Sequence, residues 1–315
     1  MITIWGPEGV GEVRRGDDLA DHLLPRVDLA DGDVVCVTSK VVSKAEGRVV
    51  AGDRAEAIVR ETRRLVARRG TLAIVVNRLG ITMAAAGIDA SNVEPGRVLL
   101  LPEDPDASAR ALRSAIARRA AANVGVLVTD TAGRAWREGQ TDIAVGAAGL
   151  RVTDDHAGRL DPYGNTLQVT APAVADELAG AAELAAGKLG RRPFVVVRGR
   201  PDLVLVADDD GPGAAALLRP EGGDLFGLGS REAVLAALRG DRTARRVFGE
   251  PVDAPELTAL LADLTGEQVA QAGDSVDVSG DDPRTRWVTE VAAYAHGWEV
   301  ADEEPSRIRL RPGTP

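Results

Sequence analysis

Short apolar runs alternate with amphipathic stretches along the first two thirds of the chain. Residues 33–38 and 124–128 are apolar almost without interruption, which predicts strands buried on both faces. Amphipathic spacing predicts helices, the longest over 54–69, 105–121 and 170–188. Shorter strands are predicted at 2–5, 71–76, 97–101, 194–198 and 203–206, and shorter helices at 17–24 and 230–238. This alternation predicts a mixed α/β (α+β) protein.

The first turn of the chain excludes one common nucleotide-binding motif. Gly6 and Gly11 have the spacing of a P-loop, but Glu12 and Val13 stand where that loop needs Lys and Ser or Thr. The irregular spacing of the elements also disfavours a standard Rossmann or P-loop fold. The turn is interpreted either as a plain turn or as one whose backbone approaches a nucleotide.

Composition narrows the class of protein further. The chain has 315 residues, of which 44% are hydrophobic and 27% charged, so it can bury a large core. A net charge of −10 disfavours general binding to nucleic acids or anionic membranes. No apolar run has membrane-spanning length, and the single cysteine, Cys36, lies in an apolar run, so we expect a cytoplasmic protein. The three histidines are scattered, which disfavours a zinc site.

A carboxylate follows the apolar run at 124–128. The run is predicted to end at Thr129-Asp130-Thr131, with Gly133 and Arg134 close behind. A carboxylate, hydroxyls and a cation at the end of a buried strand suit a metal–phosphate site. The alternative is an ordinary strand exit with an Asx turn at Asp130.

Two other polar stretches follow predicted strands. Ser39-Lys40 and Ser43-Lys44 have no apolar face for a helix, so we expect a loop that either binds phosphate or is simply solvated. Asp89 and Asn92 follow a run of small residues. They suit Mg²⁺ or Mn²⁺, or they form an Asx turn before Glu94.

Four stretches taken together resemble one enzyme family. They are Val37–Arg48, Ala86–Val93, Val128–Arg134 and Val195–Gly199, and they occur in the order and approximate spacing of coenzyme F420-0:L-glutamate ligases. The similarity spans residues 1 to about 240. It implies two interleaved subdomains, a homodimer, and GTP-dependent addition of L-glutamate to the deazaflavin precursor F420-0 through an acyl phosphate. Mg²⁺ or Mn²⁺ is implied as the metal, with K⁺ as a further candidate ion.

The resemblance also implies roles for individual residues. Asp89, Asp130 and Thr131 would bind the metal. The nucleotide would contact Val10, Gly11, Glu12, Val13, Ser39, Lys44, Asn92, Ala186, Gly187, Lys188, Leu189, Gly190, Arg191 and Arg192. Some archaeal members have a Glu where this chain has Lys188, and Lys cannot bind metal, so no ligand role is assigned there. As catalytic groups we predict Lys44, which would hold phosphate oxygens, and Arg134, chosen from its position alone.

These expectations divide the chain into a ligase domain at 1–240 and a short extension at 241–315. Residues Arg242–Val252 resemble the opening of a nitroreductase-like flavin domain, but too little chain follows for such a domain. We therefore expect a truncated or diverged remnant that does not bind FMN, or a small interaction module. Two other functions stay open: a nucleotide-dependent carboxylate–amine ligase with a different acceptor, and a non-catalytic nucleotide-binding regulatory module.

Overall fold

The computed structural model describes residues 1–90 and 93–313, which form two compact units. The first unit contains Met1–Arg64 and Ile74–Leu218, and the second contains Leu65–Ala73 and Arg219–Pro315. Helices account for 33% of the residues and strands for 27%, which confirms the predicted mixed α/β class. The predicted division into a ligase domain and an extension is a statement about function, and it stays a prediction.

The elements follow one another in this order: β1 (Thr3–Trp5), α1 (Leu19–Leu23), β2 (Val34–Thr38), α2 (Ser39–Ala45), β3 (Val49–Ala51), α3 (Arg54–Glu61), β4 (Thr62–Arg69), β5 (Leu72–Asn77), β6 (Thr82–Ala84), β7 (Arg97–Leu99), α4 (Pro105–Ala120), β8 (Gly125–Arg134), β9 (Arg137–Ala148), α5 (Val174–Ala186), β10 (Phe194–Arg198), α6 (Ser230–Arg239), α7 (Ala254–Thr265), β11 (Val269–Ala272), β12 (Ser275–Ser279), α8 (Pro283–Ala295), β13 (Trp298–Glu304) and β14 (Arg307–Pro312). Short 3₁₀ turns lie at Leu24–Arg26, Ala85–Gly87, Pro201–Leu203, Ala214–Leu217 and Arg242–Phe248.

A five-stranded sheet in the order β1-β10-β2-β8-β9 forms the centre of the first unit. Strands β2 and β8 are parallel, and the other neighbours are antiparallel. Val126 and Val128 pack in one core with α4, whereas Leu127 packs in a second core with α5. Successive residues of β8 therefore face opposite sides of the sheet, as strand geometry requires. Both faces are buried, as the apolar runs predicted.

The single cysteine is part of this sheet. Cys36 is buried, and burial raises the pKa of its thiol to about 12, so the thiol stays protonated. The prediction of a core residue is confirmed.

The second unit has its own core. Its sheet has the strand order β11-β12-β14-β13 and is antiparallel throughout. Side chains from the sheet and from α7 and α8 fill the core, among them Leu257, Leu261, Val276, Trp298 and Leu310. Trp298 also donates its indole N–H to the Val252 carbonyl at 2.8 Å. Burying the indole therefore leaves no unsatisfied donor.

The predicted end of the strand at Thr129–Thr131 is wrong. Strand β8 continues to Arg134 and turns at Trp136 into β9, which pairs with it along its length. Only the parallel pairing with β2 ends at Thr129, opposite Thr38. Asp130 is therefore a strand residue that lies opposite Ile143 of β9, and the Asx turn is excluded.

Three other local predictions need correction. Residues 39–45 form helix α2 because Val42 and the small Ser39 and Ser43 provide its buried face. The helix predicted over 54–69 ends at Glu61, because residues 62–69 form β4. Gly70, at φ +60°, lies in the turn between β4 and β5. The strand predicted at 203–206 is reduced to one bridge, between Val204 and Leu150.

Candidate functional site

Helix α2 carries two kinds of polar side chain on two faces. Ser39 and Ser43, four residues apart, are buried against the protein. Lys40 and Lys44 are likewise four residues apart, which places them next to each other on a second face. The helix therefore presents two ammonium groups along one line.

Ser39 connects the start of this helix to β8. Its hydroxyl donates a hydrogen bond to Asp130 Oδ1 at 2.7 Å. The contact forms because β2 ends opposite Thr129, so the next residue of the chain, Ser39, lies beside Asp130. Two residues predicted separately to bind phosphate and metal are thus brought together.

Lys40 connects the same helix to Asp89, with which it forms an ion pair. Asp89 is held by two backbone hydrogen bonds to Leu99 of β7. The chain reaches it through two alanines with positive φ, Ala85 and Ala86. Positive φ in a residue with a Cβ costs about 1–3 kcal/mol and is concentrated at functional sites. The strained turn fixes the direction in which Asp89 enters the site.

The electrostatics of Asp130 are those of a crowded carboxylate. Burial raises its pKa to about 6, and the hydrogen bond from Ser39 opposes this shift. The negative charges of Asp142 and Asp89 raise the pKa of Asp130 further, whereas Lys40 lowers it. A cation placed beside these carboxylates would relieve their repulsion.

Asp142 is a site residue that the sequence pattern does not single out. It lies opposite Thr131 in β9. It is 6% exposed and accepts hydrogen bonds from Thr129 (3.0 Å) and Thr131 (2.8 Å). Lys188 in turn donates to Thr131 Oγ1 at 2.9 Å. The alternation of β8 therefore places Asp130 on the α2 face and Thr131 on the α5 face.

Lys44 lies beside a cavity of about 410 Å³. Its ammonium is paired with Glu12 Oε1 at 2.5 Å. Of the residues predicted to contact nucleotide, Glu12, Val13 and Lys44 line the cavity; Val10 and Gly11 precede them in the same turn. Arg14, Arg15 and Arg97, which were not predicted, line it as well. The lining carries more positive than negative side chains although the whole chain is acidic, and this suits an anionic ligand.

The predicted nucleotide loop Ala186–Arg192 follows α5. It begins at the last residue of α5 and turns at Gly187, where φ is +65°. Its last residue, Arg192, forms an ion pair with Glu8 and packs on Gly6 in the first turn of the chain. Two segments predicted to contact the same nucleotide are therefore joined. Lys188 is the member of the loop that reaches β8, and Leu189, Gly190 and Arg191 are exposed.

Two predicted residues remain, Arg134 and Asn92, and the described part of the chain does not support a role in the site for either. Arg134 lies four residues beyond Asp130, about 13 Å along the strand. Its guanidinium donates to the Glu138 carbonyl at 3.0 Å in the β8–β9 hairpin. Asn92 lies outside the described residues.

Lysine usage is a signal that the sequence analysis missed. Of 38 basic residues other than His, only Lys40, Lys44 and Lys188 are lysines. All three contact residues of the candidate site, namely Asp89, Glu12 and Thr131. Lysine and arginine differ in hydration and in hydrogen-bond geometry, so this restriction indicates positions where a compact ammonium is needed.

Two carboxylates are available to a divalent metal at the candidate site, those of Asp89 and Asp130. Within residues 1–90 and 93–313, no group of three or more His, Cys, Asp or Glu side chains could hold an ion. The charges of Asp89 and Asp130 interact with each other, and both carboxylates interact with the ammonium of Lys40. Mg²⁺ is commonly bound by one or two carboxylates, with waters and substrate phosphates completing its shell. The residues present fit an ion of that kind.

The described part of the chain contains no helix that is long and apolar enough to cross a membrane. Its fold and site define a mixed α/β protein with carboxylates, hydroxyls and lysines gathered around one helix. The sequence model of the F420-0:Gamma-glutamyl ligase family matches residues 9–199. The chain belongs to this family, as the resemblance indicated.

Curated relatives with the name coenzyme F420:L-glutamate ligase agree with the match. The protein of Methanopyrus kandleri is 39% identical over 238 residues, which are 68% of this chain and 93% of the relative. That of Natronomonas pharaonis is 43% identical over 61% of this chain and 83% of its own length. That of Archaeoglobus fulgidus is 40% identical over 63% of this chain and 88% of its own length.

Proposed function

We propose that this protein ligates L-glutamate to coenzyme F420-0 and that the ligation is coupled to the conversion of GTP to GDP and phosphate. The first product contains a new amide bond, and a second addition gives a γ-glutamyl bond. One observation carries the proposal: helix α2 contacts both candidate metal ligands in a chain of this ligase family. Ser39 of the helix donates a hydrogen bond to Asp130, and Lys40 forms an ion pair with Asp89.

The chemistry requires activation because a carboxylate is a poor electrophile in water. In the proposed reaction, an oxygen of the acceptor carboxylate attacks the γ-phosphorus of GTP, and the bond to GDP breaks. The amine of glutamate then attacks the acyl carbon, loses a proton and displaces phosphate. Phosphoryl transfer of this kind depends mainly on positioning and on neutralising charge.

The side chains have separate tasks in this proposal. Lys44, on the cavity, binds phosphate oxygens of GTP once it leaves Glu12, and the backbone of residues 10–13 contacts the nucleotide. Lys40 keeps Asp89 in place, and Ser39 does the same for Asp130. Arg134 takes part in charge stabilisation only if its guanidinium leaves the Glu138 carbonyl.

Asp89 and Asp130 would hold Mg²⁺ or Mn²⁺, which supplies a positive charge to the phosphates and to the acceptor carboxylate. K⁺ is a further candidate ion of the site. The proposal also includes a homodimer, which analytical ultracentrifugation of the full chain would test.

The direct test is a mass measurement. The purified full chain is incubated with GTP, Mn²⁺, L-glutamate and F420-0, and the deazaflavin is analysed for a gain of one or more glutamyl units. We expect this gain together with one GDP released per glutamate added. Omitting GTP or glutamate should abolish both.

Two results would replace the proposal. GDP release with a different carboxylate acceptor, and none with F420-0, would indicate a ligase of another specificity. GTP binding without turnover under all these conditions would indicate a regulatory nucleotide-binding module.

A further inference from the structure

Thr131 has a hydroxyl whose proton and lone pairs both have assigned partners. It donates to Asp142 Oδ1 at 2.8 Å and accepts from Lys188 Nζ at 2.9 Å. A hydroxyl has one proton, and an ionised carboxylate can only accept. The proton therefore points to Asp142, and the oxygen lone pairs face the ammonium of Lys188.

Asp142 is fixed in the orientation that this arrangement needs. It is 6% exposed, lies opposite Thr131 in the β8–β9 ladder, and accepts a second hydrogen bond from Thr129 at 3.0 Å. Two donors on one strand thus hold both carboxylate oxygens. Donation to a carboxylate also makes the Thr131 oxygen a better acceptor for a cation.

The candidate metal ligands lie on the other side of the sheet. Asp130 faces α2 and accepts from Ser39, and Asp89 is paired with Lys40 of the same helix. Thr131, the next residue of β8, turns its hydroxyl to the α5 face. An ion held by Asp89 and Asp130 would therefore lie on the face of β8 opposite to the Thr131 hydroxyl.

We infer that Lys188, and not the metal ion, is the cation bound by the Thr131 hydroxyl, and that Asp142 is the positioning residue that orients this hydroxyl. The ammonium has three donors: one goes to Thr131, and a second points to Glu183 Oε1 at 3.5 Å. The third can bind a phosphate oxygen of the nucleotide. The inference rests on the proposed function for the metal and nucleotide, but not for the contact between Lys188 and Thr131.

The first test measures the reactivity of Lys188 without nucleotide or metal. The chain has three lysines, so acylation by an amine-reactive ester can be followed for each by peptide mass spectrometry. An ammonium held by an acceptor should react slowly. We expect Lys188 to react about threefold faster, or more, in Thr131→Val, which removes the acceptor. We expect the same in Asp142→Asn, because an amide oxygen can accept from only one of Thr129 and Thr131 and the Thr131 hydroxyl loses its fixed orientation.

Lys44 in the same digest is the internal control, and Thr131→Ser is the conservative variant. General loosening of the fold would accelerate both lysines, whereas loss of the oriented hydroxyl should accelerate Lys188 alone. Thr131→Ser should retain the slow rate. An unchanged Lys188 rate in both Thr131→Val and Asp142→Asn would overturn the inference.

The second test measures Mn²⁺ binding to the GDP complex by calorimetry. Thr131→Val should bind Mn²⁺ with wild-type affinity, whereas Asp130→Asn should bind it at least about tenfold more weakly. Equal weakening in the two variants would make Thr131 a metal ligand and would overturn the inference. Absence of Mn²⁺ binding in the wild type would contradict the proposed function, and the acylation rates would still decide the role of Lys188.

Discussion

Ser39 and Asp130 lie 91 positions apart, yet the Ser39 hydroxyl donates to Asp130 Oδ1 at 2.7 Å. The contact depends on the parallel pairing of β2 with β8, which ends one residue before each of them. A half-buried carboxylate is thereby joined to the first turn of a helix whose other face carries two lysines. This relationship brings the end of β2 and the middle of β8 together in one site.

Replacing Asp130 by Asn should remove the proposed metal ligand with little change in shape. We expect glutamate addition to fall at least about 100-fold and Mn²⁺-dependent GTP binding to weaken. The measurement is turnover and nucleotide affinity of the folded variant. Asp155→Asn, in an exposed turn, is the matched control and should have wild-type activity. Near-normal turnover of Asp130→Asn would contradict the assignment.

Replacing Lys44 by Ala should raise the KM for GTP about tenfold or more, because a charge-assisted hydrogen bond to phosphate is lost. Steady-state kinetics with GTP varied at saturating glutamate would measure this. Lys44→Arg retains the charge and should recover part of the affinity. If both variants have the wild-type KM, Lys44 serves only as the ion-pair partner of Glu12.

The sequence predicts the central strands well because their residues are apolar on both faces. It fails at α2, whose buried face consists of Val42 and two serines and does not look apolar. It also fails at 62–69, where arginine-rich residues have good helix propensity but pair with β5 in the fold. Contacts made in the fold decide both cases, namely the packing of α2 and the pairing of β4 with β5, and periodicity along the chain does not contain them.

The candidate site could likewise be predicted only in part, because the sequence does not show which residues contact each other in the fold. Ser39, Lys44, Asp89 and Asp130 could be chosen because polar residues follow apolar runs, and the family resemblance added the rest. Asp142 could not be chosen, since its importance depends on lying opposite Thr131 in a hairpin. The restriction of lysine to three positions was visible in the sequence, but its meaning required their contacts.

Arg113 should be important for stability and not for chemistry. It is 4% exposed. Its guanidinium donates hydrogen bonds to three backbone carbonyls, those of Val124, Val206 and Asp209. It also donates to two side chains, those of Asn123 and Asp210. Arg113→Ala would leave buried acceptors unsatisfied, so we expect a loss of about 3 kcal/mol in the free energy of unfolding. Chemical denaturation would measure it. Arg110→Ala, exposed on the same helix, should change it by less than about 0.5 kcal/mol. Similar losses in the two variants would refute the role.

The second unit should lose stability in acid through Asp277. Arg309 donates two hydrogen bonds to this carboxylate, at 2.7 and 2.8 Å, and they hold the pKa of Asp277 below its usual value of 3.8. Because the folded pKa lies below the unfolded one, the pair stabilises the fold above about pH 4, and the contribution is lost as the pH falls further. Asp277→Asn should therefore lower the Tm at pH 7 and have a smaller effect at pH 3. Thermal unfolding at both pH values measures the difference, with Asp274→Asn, in the exposed β11–β12 turn, as the control. A Tm difference that is the same at pH 3 and pH 7 would show that the ionised pair does not stabilise the sheet.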